Sequence, residues 1–138
     1  MQIRKILVAI DGSPQSIKAV KLASQIAKGL GAEITLIHVT EIYEIPTLIN
    51  EAENGMSEET GQRVLGESAK IAKSEGIEVK VVLKKGHIVD QILRYTSTYK
   101  PDIIVMGGRG FSKMKGILMG SVSQSVSQHA RCTVIIAR

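Results

Sequence analysis

The chain has 138 residues, the size of one packed domain around a shared core, residues 1–138. Apolar residues make up 43% of it, yet no apolar run approaches the roughly 20 residues that cross a bilayer; the single cysteine, Cys132, rules out an internal disulfide framework or a cysteine metal cluster. Lys and Arg outnumber Asp and Glu 18 to 13, a formal +5 that suits an anionic partner, but the basic residues are scattered and only Phe111, Tyr43, Tyr95 and Tyr99 offer rings. A nucleotide is then a sufficient anion, and neither a nucleic-acid nor a membrane partner is expected.

The first apolar run, residues 3–10, is rich in branched side chains and stops at the turn formers Asp11-Gly12-Ser13-Pro14. It ends in an acid and lacks a small-residue cleavage site, so it predicts a strand rather than a signal peptide. One cysteine and no targeting segment make a reducing, cytoplasmic setting the simplest account. Ser13 supplies a capping hydroxyl and Pro14 a first helical residue whose missing N–H costs nothing; Ile17, Val20, Ala23, Ala27 and Leu30 then recur at helical spacing until Gly29 and Gly31.

Residues 33–39 form a second strand, followed by a polar and irregular connection over 40–56, long enough to cover part of a site. Ser57 is the expected cap of a second helix, with Glu58 and Glu59 in its first turn and Val64, Leu65, Ala69, Ile71 and Ala72 on its apolar face. Residues 77–83 predict a third strand, Lys84 to His87 a turn, and Ile88, Val89, Ile92 and Leu93 a third helix that ends at Pro101. Residues 102–107 are the most apolar strand candidate and are expected to sit centrally; residues 121–130 predict a fourth helix and the run from Cys132 a fifth strand.

Strands alternating with helices predict an α/β fold, an open five-stranded parallel sheet with helices on both faces. Ligands of such sheets bind beyond the carboxyl ends of the strands, where the strand order reverses. Two loops carry unusual chemistry, Asp11-Gly12-Ser13 and residues 107–121, and if both serve one site the strand order is 3-2-1-4-5 rather than 2-1-3-4-5. The second loop reads Gly107, two residues, Gly110, nine residues, Gly120, then Ser121 opening a helix. Its glycines permit close backbone approach to a phosphate, and the amides of the helix start with the Ser121 and Ser123 hydroxyls are candidate donors. There is no Gly-Lys dipeptide of a P-loop and no G-x-G-x-x-G.

The run from Ile6 to Ser16 together with G-x-x-G-x9-G-S from Gly107 to Ser121 resembles the universal stress protein family, in its ATP-binding branch, over the whole chain. The resemblance implies a Rossmann-like sheet of order 3-2-1-4-5 and a homodimer in which strands 133–137 pair antiparallel. It implies that Gly107, Gly110, Gly120, Ser121, Val122 and Ser123 meet phosphate and ribose, and that Ala9, Ile10, Asp11 and Val39 lie on the adenosine side. Asp11 would stand near ribose and triphosphate, with Mg2+ or Mn2+ as the cation it could hold. Members act as stress-linked, ATP-binding regulatory or signalling modules with an unknown protein partner. Catalysis is expected to be absent or limited to slow ATP hydrolysis, since no base that would orient water is identifiable. Gly108 departs from the small polar residue common in the family, and Thr133 from a common proline.

Plainer readings stand beside these. Asp11 is also a common turn residue, the glycine loop could be a flexible crossover with Arg109, Lys113 and Lys115 in water, and strand 133–137 could be a simple edge. Cys132 and Met106, Met114 and Met119 read as packing residues. His38, His87 and His129 are too dispersed for a metal, and Ser13 and Ser16 serve a helix start better than nucleophilic attack. Competing functions are a slow ATPase and a nucleotide-free dimeric interaction protein.

Overall fold

The computed structural model describes residues 2–42, 51–108 and 120–138, with backbone alone over 51–57. The elements run β1 (Lys5–Ala9), α1 (Pro14–Leu30), β2 (Glu33–Glu41), α2 (Glu51–Ser74), β3 (Val79–Gly86), α3 (Ile88–Tyr99), β4 (Ile103–Gly107), α4 (Ser121–His129) and β5 (Thr133–Ala137). All four strand pairings are parallel and the order is β3-β2-β1-β4-β5. This is the arrangement expected from placing the two loops together. The chain winds outward through β2 and β3, then returns to lay β4 beside β1, so the order reverses between these two strands.

Side-chain alternation along the strands divides the core. Ile6, Val8, Ile34, Leu36, Ile103 and Val105 pack beneath α1 and α2, whereas Leu7, Ala9, Ile37, Ile104 and Met106 pack beneath α3 and α4. Residues buried on both faces explain why β1 and β4 read as continuous apolar runs. The middle strand is β1; β4 lies beside it, with all five residues buried.

Three local expectations are corrected. Helix α2 begins at Glu51, so Ser57 lies inside it and not at its cap; Glu and Ala favour helix, and Gly55, at a cost of about 1 kcal/mol, does not break it. Strand β3 continues through Lys84 and Lys85, because β2 extends beside it and Thr40 and Glu41 pair with Lys85 and Gly86. Leu30 is 57% exposed, the apolar face of α1 having ended at Ala27.

Candidate functional site

The first loop is built from side chains that satisfy backbone. Ser13 caps α1, its Oγ accepting the Ser16 amide at 3.2 Å with Pro14 in the first turn, as its residue types predict. Asp11 Oδ1 accepts the Ser13 amide at 2.9 Å, and the Asp11 amide donates to Ser16 Oγ at 3.2 Å. Gly12 joins them at φ +83°, a conformation that side-chain-bearing residues rarely adopt. The turn is thus rigid, and Asp11 Oδ2 takes no hydrogen bond from a described residue. Upstream, the Ile10 amide donates to Ile37 carbonyl oxygen at 2.9 Å, which carries β1 pairing past its last strand residue.

The second loop is built from backbone. A Cβ on Gly107 would lie 2.7 Å from Gln15 Cβ and 2.8 Å from its carbonyl carbon. Glycine is required at this position by the close approach of the first turn of α1. The Gly108 amide donates to Ala137 carbonyl oxygen at 3.0 Å, and the Gly108 carbonyl accepts both the Gly120 amide and, at 3.1 Å, the Ser123 hydroxyl. Ser123 Oγ also lies 3.1 Å from the Gly120 carbonyl. The chain leaving β4 is therefore stitched to the chain entering α4. Gly120 is the N-cap of α4 and has no side chain to offer, so among the described residues the first-turn amides have no side-chain cap.

Register places the predicted residues at one end of the sheet. Ala9 pairs with Ile37 and Met106, with Val39 two residues beyond the former and Gly107 one beyond the latter. Ala9, Ile10, Val39, Val122 and Ser123 have buried side chains. What they present toward a ligand is backbone, and the Ser123 hydroxyl is directed to carbonyls rather than outward. Asp11 is half-buried and Ser121 exposed, so these two keep accessible side chains. Gly110 lies outside the described residues, as do Arg109, Lys113, Lys115, Met114 and Met119.

Three further residues occupy this end. His38 Nδ1–H donates to the Ile10 carbonyl at 2.8 Å, which fixes the tautomer because a carbonyl only accepts. Gln15 Oε1 and Thr40 Oγ1 are buried without a hydrogen-bond partner among the described residues. No spacing in the sequence marks them; only the pairing of strands brings His38 against the end of β1. His87 begins α3 without a side-chain cap, and Cys132 is half-buried against the α3–α4 side of the core.

Chemically, uncapped helix amides with positive dipole character suit phosphate oxygens, and a carboxylate with spare acceptor capacity suits a hydroxyl pair or a hard cation. Among the described residues no three His, Cys, Asp or Glu side chains cluster to hold a metal. Asp11 alone could hold Mg2+ only as one ligand among several. No helix among the described residues is long and apolar enough to cross a membrane.

Universal stress protein YxiE of Bacillus subtilis is 34% identical to this chain over 146 residues, covering 97% of this chain and 98% of its own. Among solved structures, the universal stress protein of Archaeoglobus fulgidus in complex with dAMP is similar with a TM-score of 0.74 at 22% identity, covering 100% of both chains. A universal stress protein family protein of Arabidopsis thaliana with AMP bound is similar with a TM-score of 0.71 at 22% identity, over 97% of this chain and 90% of that one. At these identities the two structures show likeness of fold. The model of the universal stress protein family matches residues 2–138, and with the Bacillus relative this places the chain in the universal stress protein family.

Proposed function

We propose that this member of the family binds an adenine nucleotide, ATP in particular, across the carboxyl ends of β1 and β4, and acts as a nucleotide-dependent regulatory module in the cytoplasmic stress response. The observation that carries the proposal is the pairing of an uncapped α4 N-terminus with the rigid Asp11 turn at the reversal of strand order. Solved proteins of the same fold carry AMP and dAMP, which supports an adenine base as the common element.

In this arrangement the backbone at Ala9, Ile10 and Val39 borders the adenosine. Gly107, Gly110 and Gly120 let the chain approach the phosphates, and the amides of Ser121, Val122 and Ser123 receive their oxygens. Asp11 Oδ2 is the acceptor for ribose hydroxyls or the ligand for Mg2+ or Mn2+. The chain works as one domain and pairs with a second copy through β5, which covers an otherwise open sheet edge.

Calorimetric titration of nucleotide-free protein with Mg-ATP and with AMP tests the proposal. Saturable binding of both, with Mg-ATP tighter, is the expected result. No heat at millimolar nucleotide would sink it. Sedimentation of the same sample checks the dimer, and Ile135→Lys on β5 is expected to yield monomers.

A further inference from the structure

We propose that Gln15 touches the bound nucleotide at the carboxyl ends of β1 and β4, its side-chain amide donating to the phosphate chain. This role rests on the nucleotide reading above, and neither the glycine spacing nor the Asp11 turn marks the residue. Gln15 is half-buried in the first turn of α1, directly after Pro14. Its Cβ lies 2.7 Å from the place a Cβ on Gly107 would take, so the side chain leaves α1 against the last residue of β4.

The amide is not engaged in the fold. Oε1 is buried without a hydrogen-bond partner among the described residues, and none of them bonds Nε2. Every other polar side chain from Asp11 to Ser16 has a partner: Asp11 Oδ1 accepts the Ser13 amide, Ser13 Oγ the Ser16 amide, and Ser16 Oγ the Asp11 amide. Ser13 caps α1, so the helix start does not need Gln15. Thr40 Oγ1, the other buried atom in this condition among the described residues, stands beside Gly61 of α2 at the end of β2, two strands from β4.

A buried amide end with no partner destabilises the folded chain, because it gives up water and gains nothing in return. Methionine, unbranched and of similar length, would fill the same space without that cost. An amide in this place calls for a partner that arrives from outside the protein, and the end of β4 is where the phosphates are proposed to lie. Turning the amide over about its terminal torsion, a soft and roughly two-fold rotation, exchanges oxygen for nitrogen. With Nε2 inward the buried end offers N–H donors to phosphate oxygens, which act as acceptors. Being neutral, Gln15 adds donors without altering the charge balance between the Asp11 carboxylate and the positive ends of α1 and α4.

Calorimetry with Mg-ATP and with adenosine, on the full chain and on its Gln15→Met variant, tests the role beside a thermal melt of both proteins. Gln15→Met is expected to raise the thermal midpoint, because the unpartnered amide is gone, while weakening Mg-ATP about tenfold and leaving adenosine unchanged. A side chain that served packing or the helix start alone would not move stability and affinity in opposite directions. Undiminished Mg-ATP binding by the variant, beside saturable binding by the wild type, would overturn the role of Gln15 and leave the nucleotide reading standing. Adenosine weakened as much as Mg-ATP would move the contact to the ribose and overturn the phosphate assignment. A lower midpoint in the variant would mean that the amide already serves the fold, which also overturns it. Absence of Mg-ATP binding by the wild type would sink the nucleotide reading, and the contact with it.

Discussion

Two aspartates stand at opposite ends of β1 and are used in opposite ways. Asp102, just ahead of β4, lies at the amino end, where its Oδ2 accepts the Arg4 amide at 2.7 Å and the Lys5 amide at 2.9 Å, from residues 98 and 97 positions away. Asp11 lies at the carboxyl end and accepts one amide, that of Ser13 two residues on, through Oδ1 alone. The amino-end carboxylate is engaged in joining β4 to the start of β1. The carboxyl-end carboxylate shapes only its own turn and retains an oxygen. The same division holds for the glycines and serines: at the carboxyl end, loop closure is carried by backbone and by Ser123, and among the described residues Asp11 Oδ2, the Ser121 side chain and the first-turn amides of α4 take no side-chain partner.

The most damaging way to disturb this division is Gly107→Val. Its Cβ would meet the Gln15 backbone at 2.8 Å, and a backbone atom cannot swing aside as a side-chain end can. Destabilisation of about 3 kcal/mol is expected, read as a lower denaturant midpoint. An unchanged midpoint would show that the α1 contact does not require glycine and would return Gly107 to the phosphates alone.

Ser123→Ala comes next. The Gly108 carbonyl keeps the Gly120 amide when the hydroxyl is lost, so no acceptor is orphaned and the cost is about 1 kcal/mol. Nucleotide affinity is expected to change by less than about threefold. Loss of nucleotide binding at unchanged stability would mean that the hydroxyl serves the ligand.

These two residues also show where sequence reasoning stops. The strand order was legible because two loops of unusual composition had to meet, and apolar runs such as 3–10 and 102–107 have the length and branching of buried strands. The Gly107-x-x-Gly110 spacing marks a special backbone, but the contact that demands glycine comes from Gln15, distant in sequence and ordinary in type. Ser123 reads equally well as a ligand donor or a loop fastener, and only the position of the Gly108 carbonyl decides. The start of α2 was missed because Asn50, Asn54 and Gly55 look like loop composition, although the flanking Glu and Ala residues favour helix.

At the amino end, Asp102→Asn is expected to have a smaller effect than either, since the site is open to water and an amide oxygen can still accept hydrogen bonds. The effect should depend on pH in a definite direction. Hydrogen bonds from the Arg4 and Lys5 amides hold the Asp102 carboxyl below its ordinary value of 3.8. Stability from the charged form is therefore present above that value and lost as pH falls through the lower folded-state value. The gap in thermal midpoint between wild type and variant, open at neutral pH, should close in strong acid. A gap that is constant across this range would mean that charge contributes nothing to the clasp.

Asp11→Asn should have the least effect on stability. Asparagine keeps a side-chain oxygen for the Ser13 amide, so the turn survives and stability is expected to stay within about 0.5 kcal/mol. What changes is the charge and the oxygen at Oδ2, which becomes an amide donor. If Oδ2 holds a cation, Mg-ATP affinity falls while metal-free AMP affinity does not; if it accepts ribose hydroxyls, both fall together. Equal affinities for wild type and variant with both nucleotides would leave Asp11 a turn residue, as engaged in structure as Asp102. Asp11→Ala supplies the internal check, because removing the turn bond as well should lower stability by about 1 kcal/mol while its effect on affinity follows that of Asn.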